Sequence, residues 1–396
     1  MLVLKAVHFG AGSIGRGFIG DLLHASGYEI TFVDVDPAII AQINRDKAYD
    51  LYVIEQNYAR KTIDHVCAVS SVTQEQEAVA ALADADIITT SVWADNLPRI
   101  APVLLKGLRA RREAGKSKVN ILACENAMFN SDILRSSLLS IEGGLSAEEL
   151  AETAAFPNTA VDRLVLEDER EGRKVINIGQ DFELVIERNK LAEPGSIPIQ
   201  NAVYTDNLQK YLERKLYIIN CGHAWAGYIG HIYGYEIIQD VFQNDDLLRQ
   251  ILEAMMEPAR LLERKYGFPI RELAEYVDFA VARFRTPGIV DTISRVCRSP
   301  IRKLQPDDRL VGPCLGCEAY GLKNDRLLQG IAAAFLFRNA GDAQSEEVRL
   351  YIAEQGIGAA ITRYTGIAET TRLHQAILHH YEELSRIKRQ RWGEKG

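Results

Sequence analysis

The hydrophobic pattern changes character near residue 195. Before it, short apolar runs of strand length alternate with amphipathic helical stretches. "LKAVHFG" (4–10) predicts a strand, and "IGRGFIGDLLHASG" (14–27) a helix closed by Gly27. "EITFVDVD" (29–36) is a second strand, and "PAIIAQINRDK" (37–47) a helix opened by Pro37 in its first turn. "ADIITTSV" (85–92) and "KVNILACEN" (118–126) predict further strands. They are followed by helices over "PRIAPVLLKGLRARREAG" (98–115) and near 129–140. Such alternation indicates βαβ units and a mostly parallel sheet. "TAVDRLVL" (159–166) and "KVINIGQDFELVIE" (174–187) add strands around the turn-like "EDEREGR" (167–173).

After residue 195 long amphipathic stretches take over, at 206–240, 245–266, 270–284, 325–338, 345–363 and 369–391. Pro and Gly in "LAEPGSIPIQN" (191–201) break regular elements, so the junction belongs there. The expected organisation is α/β. A Rossmann-type dinucleotide-binding domain covers 1–195, and a mainly α-helical domain, carrying substrate and catalysis, covers 196–396. No repeat or low-complexity tract interrupts either part.

"GAGSIG" places glycines at 10, 12 and 15, between a strand and a helix, the context that strengthens a GxGxxG pattern. Gly10 permits the tight turn, Gly12 a close backbone approach to a pyrophosphate, and Gly15 tight helix–strand packing. With Ala11, Ser13 and Ile14 these residues form the expected phosphate loop, at a helix N-terminus that favours anions. Asp34 ends the next strand, where a carboxylate meets the adenosine ribose. It would repel a 2′-phosphate, so NAD is expected rather than NADP.

"KLYIINCGH" (215–223) puts a Lys, an Asn and a His into an otherwise apolar stretch. At about 100° per residue, Lys215 lies near 0°, His223 near 80° and Asn220 near 140°, with Leu216 and Ile219 in the same arc. A helix apolar all round is buried, and buried polar groups need partners. A substrate could be one; a snorkelling Lys beside a hydrogen-bonded Asn and His is the other reading.

Composition narrows the function classes. The chain has 396 residues, 47% hydrophobic and 25% charged, with a net charge of -8. That balance does not suggest a nucleic-acid partner. No apolar run has the length to span a bilayer, so neither a membrane partner nor a membrane location is expected, and the chain reads as cytoplasmic. The six cysteines are expected as free thiols. The CxxC of Cys314 and Cys317 has no second ligand pair, and HExxH is missing, so no metal is expected. Against the acidic background, 282–304 holds Arg283, Arg285, Arg295, Arg298, Arg302 and Lys303, with Asp291 as its one acid. Arg suits phosphate. The five arginines are candidate ligands for a substrate phosphate, with a solvated basic face as the alternative.

The spacing K-x4-N-x2-H resembles the motif of the polyol-specific long-chain dehydrogenases, which use no metal. "KAVHFGAGSIGRGFIG", "LACENA", "TAVDRLV", "ERKLYIINCGHA", "RSPIRKLQPDDRLVGP" and "GIAAAF" extend the resemblance over nearly the whole chain. It implies an active site in the cleft between two domains. Lys215 is then the general acid/base. Asn220, with Asn126 of "ACENA", holds the substrate oxygen, and His223 positions a hydroxyl. In some relatives a Glu lies three residues before the lysine; here Leu212 holds that place, and Glu213 is two before. The expected activity is NAD-linked oxidation of a polyol phosphate, with a free polyol or a hexuronate/hexonate as the alternative substrate. A sensor that binds NAD without catalysis would have no need of a proton acceptor at Lys215.

Overall fold

The computed structural model describes residues 3–170, 172–286 and 290–393. The chain divides into two compact units, Met1–Tyr211 and Leu212–Gly396.

The first unit is built on six parallel strands: β1 (Leu4–Phe9), β2 (Tyr28–Asp34), β3 (Val66–Ser70), β4 (Ile87–Thr90), β5 (Val119–Ala123) and β6 (Ala154–Ala155). Their spatial order is β3-β2-β1-β4-β5-β6, the Rossmann order, with its switch point between β1 and β4. The register runs Leu4↔Tyr28 to Phe9↔Val33 on one side of β1 and Ala6↔Ile87 to Phe9↔Thr90 on the other. Successive side chains point to opposite faces. Ala6, Ile30 and Phe32 therefore enter one core, while Val7, Phe9, Val33 and Ile88 enter a second. Burial on both faces explains why these strands read as continuous apolar runs.

One face is covered by a second sheet that the sequence pattern only partly revealed. Thr159–Arg170 and Arg173–Glu187 form a long antiparallel hairpin, starting at Arg170↔Arg173. The predicted turn thus shrinks to its tip, of which Glu171 lies outside the described residues. Tyr49–Val53 pairs parallel with the second hairpin strand and antiparallel with Ala59–Ile63. Neither of those strands, nor β3, stood out in the sequence, because each has only five residues and the apolar period is brief. Val203–Thr205 pairs parallel with Val185–Glu187. That pairing carries the first unit past the Pro/Gly junction to Tyr211.

The second unit is helical. Asp245–Tyr266 and Ile270–Phe284 fall on the predicted spans. The stretch 206–240 does not form one helix: after Ile232 the chain turns through Gly234 (φ +83°) before Ile238–Gln243. Ala343–Thr365 is likewise kinked, at Gly356 (φ 82°, ψ 164°). Three short helices, Ile293–Cys297, Pro300–Lys303 and Val311–Ala319, fill a region the pattern left unassigned. Cys221–Ile232 is the central element. Each Gly of this helix is unfavourable by about 1 kcal/mol relative to Ala, yet each lets a neighbour close in. A Cβ on Gly222 would meet Met255 at 2.5 Å, and one on Gly230 would meet Val241 at 2.6 Å. Trp225 is fully buried; its indole N–H donates to the Arg326 carbonyl at 2.7 Å. A Cβ on Gly330 would lie 2.3 Å from its ring.

Gly330→Val should therefore overpack the helical core and lower stability by about 1–3 kcal/mol. Urea unfolding followed by Trp fluorescence checks this; an unchanged midpoint would show that Trp225 has room to move.

Candidate active site

The glycine loop leaves the C-terminal end of β1, at the sheet edge where such folds bind ligands. Gly10 has φ +97°, in the left-handed region, and a Cβ there would sit 2.6 Å from the Ser91 carbonyl. Gly15 is closed by packing, since its Cβ would fall 1.9 Å from the Gly10 carbonyl oxygen and 2.9 Å from His8 Nε2. Gly12 differs: nothing lies within 4 Å of its Cβ position. The loop is thus shut on the protein side and open at Gly12. Ala11 is buried, Ser13 half-buried and Ile14 exposed. Asp34 braces the loop, accepting from the Ala11 amide at 2.5 Å and from the Val35 and Asp36 amides at 2.7 and 2.9 Å. Its carboxylate therefore sits beside the loop.

Sequence reasoning missed the support beneath this loop. His8 is fully buried, with Nδ1 2.7 Å from Thr89 Oγ1 and Nε2 2.8 Å from Ser91 Oγ. Burial lowers its pKa to about 3, so the ring is neutral. A lone His in an apolar strand, directly before a glycine loop, was the available signal. Glu125 was missed as well. It is buried, it accepts from Thr90 Oγ1 at 2.7 Å and from the Val92 amide at 3.0 Å, and burial raises its pKa. The neighbouring Asn126 is exposed, just beyond β5 at the same sheet edge as the glycine loop.

In the second unit the Lys–Asn–His stretch is not the α-helix its periodicity suggests. Lys215–Asn220 is a π-helix, continuing from Gln209–Arg214 and running into Cys221–Ile232. An α-helix would separate residues i and i+5 by about 140°. The π-turn closes i→i+5 hydrogen bonds and so brings Lys215 and Asn220 onto one face; His223 follows one α-turn later. From Glu213 to Ile232 only Lys215, Leu216, Asn220 and His223 escape full burial. Ile219, expected in the same arc, is instead buried at 5% exposure.

His223 stacks on Phe284, with ring centroids 4.5 Å apart. Its Nε2 lies 3.3 Å from Asp291 Oδ2, off the line of an aligned hydrogen bond. Burial lowers the His223 pKa against the opposing pull of Asp291, and Arg295 and Arg283 lower it further. Arg283 and Arg295 are therefore the two arginines of the basic segment gathered around His223. Arg295 grips both oxygens of Asp291, with Nε at 2.5 Å from Oδ1. Arg285 turns to Gln243 at 3.4 Å. Arg298 and Arg302 are exposed. Lys303 is buried and donates to the Arg298 carbonyl; burial, with Arg309 nearby, lowers its pKa to about 8. Pro287, Gly288 and Ile289 of the segment lie outside the described residues. Glu213 is buried and paired with Lys265 at 2.7 and 2.9 Å. Among the described residues, no group of three or more His, Cys, Asp or Glu could hold a metal, and all six cysteines are free.

The pattern of the mannitol dehydrogenase Rossmann domain matches residues 4–197, and that of the mannitol dehydrogenase C-terminal domain matches 207–385. The chain belongs to the mannitol dehydrogenase family. Among members of the family, it is 39% identical to mannitol-1-phosphate 5-dehydrogenase of Exiguobacterium sp., over 98% of this chain and 100% of that protein. The Bacillus subtilis protein of the same name is 36% identical, over 94% and 98%. Two solved mannitol dehydrogenase-like folds lie further off in sequence. D-sorbitol dehydrogenase superposes with a TM-score of 0.81 at 16% identity, covering 98% of this chain and 95% of that one. Pseudomonas fluorescens mannitol 2-dehydrogenase, in ternary complex with NAD and D-mannitol, gives 0.70 at 16%, covering 99% and 94%.

For this family member the open Gly12 position makes a specific test. Gly12→Val should leave thermal unfolding of the free protein nearly unchanged, because the side chain meets no protein atom. It should weaken NADH binding, read by nicotinamide fluorescence, by at least about tenfold, or roughly 1.4 kcal/mol. Unchanged binding would remove the pyrophosphate from this loop.

Proposed function

We propose that the chain is an NAD-dependent mannitol-1-phosphate 5-dehydrogenase that interconverts D-mannitol 1-phosphate and D-fructose 6-phosphate. Its near full-length similarity to proteins of that name supports the reading. The observation that carries the mechanism is that Lys215, Asn220 and His223, with Leu216, are the residues left uncovered on a helical stretch buried elsewhere from Glu213 to Ile232. Oxidising a secondary alcohol removes a hydride and a proton, and bound NAD supplies the hydride acceptor. Gly10, Gly12 and Gly15 hold its pyrophosphate and Asp34 its adenosine ribose. Lys215 takes the hydroxyl proton on oxidation and returns it on reduction. The Asn220 amide donates to the same oxygen as negative charge develops there; Asn126 is the amide donor on the dinucleotide-binding unit. His223 positions a neighbouring hydroxyl. The arginines divide by placement. Arg295 holds Asp291 through Nε and Nη2, which leaves the Nη1 edge of a guanidinium whose side chain is 59% exposed to take an anion. Arg283 stands near the same histidine. These two are the phosphate ligands of this reading, and Arg285, Arg298 and Arg302 are not. The protein is read as cytoplasmic, in keeping with six free thiols.

Lys215→Ala should lower kcat in both directions by at least about 10²-fold while NADH affinity, set in the other unit, stays near wild type. Oxidation by the wild type should rise with pH through one ionisation, since only the neutral amine accepts the proton; that dependence should vanish in the variant. A variant with near-wild-type kcat would end this mechanism.

Arg283→Ala and Arg295→Ala should each raise KM for D-mannitol 1-phosphate by more than about tenfold, roughly 1.4 kcal/mol; for Arg283→Ala, whose side chain does not hold Asp291, unphosphorylated D-mannitol should be little affected. Arg298→Ala and Arg302→Ala should change both by less than about twofold. Equal small effects at all four positions would exclude a phosphate pocket here and favour a free polyol as substrate.

A further inference from the structure

Asp291 is the one acid in the basic segment, and it is 9% exposed. Its backbone is fixed on both sides: the amide donates to Gln239 Oε1 at 3.1 Å, and the carbonyl accepts from the Ile238 amide at 2.9 Å. Burial opposes its ionisation, but His223 and Arg295 outweigh burial and lower the pKa to about 2. The carboxylate is thus charged at neutral pH and cannot drift, because the bidentate Arg295 fork and the backbone contacts together set its plane.

The Asp291 carboxylate faces one edge of the His223 ring. Oδ2 is 3.3 Å from Nε2, and Phe284 lies against the ring face with planes only 19° apart. The charged groups around the imidazole are Asp291, Arg295 and Arg283, and Lys215 shares its helical sector. A neutral imidazole carries one proton, and an adjacent acceptor decides which nitrogen bears it. An anion beside Nε2 puts the proton there and leaves Nδ1 bare.

We propose that Asp291 is the positioning residue of His223: held by Arg295, it keeps the imidazole proton on Nε2 and presents Nδ1 as the acceptor for a substrate hydroxyl. The proposal rests on the reading that His223 belongs to the substrate site. It assigns Arg295 two tasks, an inner edge that orients Asp291 and an outer edge for phosphate. It also gives the lone acid of the segment a reason to be there, since the same arginines without it would leave His223 facing only positive charge.

The test uses the full-length enzyme with ¹⁵N-labelled histidine. Long-range ¹H–¹⁵N correlation at neutral pH, with His223 assigned by its loss in His223→Gln, should show the Nε2–H tautomer in the wild type. In Asp291→Asn the signals should move toward the Nδ1–H form, and kcat for D-mannitol 1-phosphate oxidation should fall at least about tenfold, a barrier change of roughly 1.4 kcal/mol. Asp291→Glu, which keeps the charge, should recover the Nε2–H form and part of the rate. A purely structural role for Asp291 would lower the melting temperature without moving the tautomer. An Nδ1–H tautomer in the wild type overturns the proposal with no variant needed, and so does an unchanged tautomer in Asp291→Asn. If His223→Gln keeps wild-type kcat and KM, His223 is no substrate residue. That failure belongs to the functional reading and is separate from the tautomer result, which decides the Asp291–His223 link by itself.

Discussion

A Lys and an Asn five residues apart lie about 140° apart around an α-helix, and in the second unit a wider turn narrows that separation. The π-turn over Lys215–Asn220 does this by admitting one more residue per turn. The arrangement around it follows from that constraint. Tyr217, Ile218 and Ile219 must be buried so that the turn has a solid back wall. The next helix must lie close to Met255, Cys297 and Val241, which its glycines at 222, 227 and 230 allow.

The first unit repeats the device. Gly15–Gly20 is also a π-segment, at the helix that follows the glycine loop, and it too is buried apart from Arg16. Arg16 folds back to donate to the Ala11 carbonyl at 2.7 Å. One π-segment thus follows the glycine loop of the first unit, and the other carries Lys215 and Asn220 in the second. In the loop, Gly15 is closed in by its neighbours and Gly12 is open, although the sequence pattern treats them alike.

Electrostatics sorts the basic segment in the same way. Its net charge is a property of composition, but the use of each arginine is decided by its neighbours. Asp291 captures Arg295, Gln243 takes Arg285, and Arg298 and Arg302 remain in solvent, where exposed charges contribute little. Glu213 is buried against Lys265, which donates to its carboxylate at 2.7 Å.

Local pattern alone determined a good deal of this protein. Apolar runs bounded by Gly and Pro disclosed β1, β2, β4 and β5, and the long amphipathic periods disclosed Asp245–Tyr266 and Ile270–Phe284, because burial on one or two faces imposes a period on the residues themselves. GAGSIG followed by Asp34, and the K-x4-N-x2-H spacing, stood out because each sets unusual residue types at short separations. What tertiary structure decided lies where local signals are weak or misleading. The five-residue strands at Tyr49–Val53, Ala59–Ile63 and β3 are too short to show a period, and they become strands only through the partners they pair with. The π-turn contradicts the α period of its own sequence, since the packing of its buried wall outweighs local hydrogen-bond preference. The supports beneath the site, His8 under the glycine loop and Asp291 beside His223, are separated from what they support by folding distance rather than by spacing: His8 meets Thr89 and Ser91, and Asp291 meets His223, only once the chain has closed. A sequence records which groups are present, and only the closed fold records which of them meet.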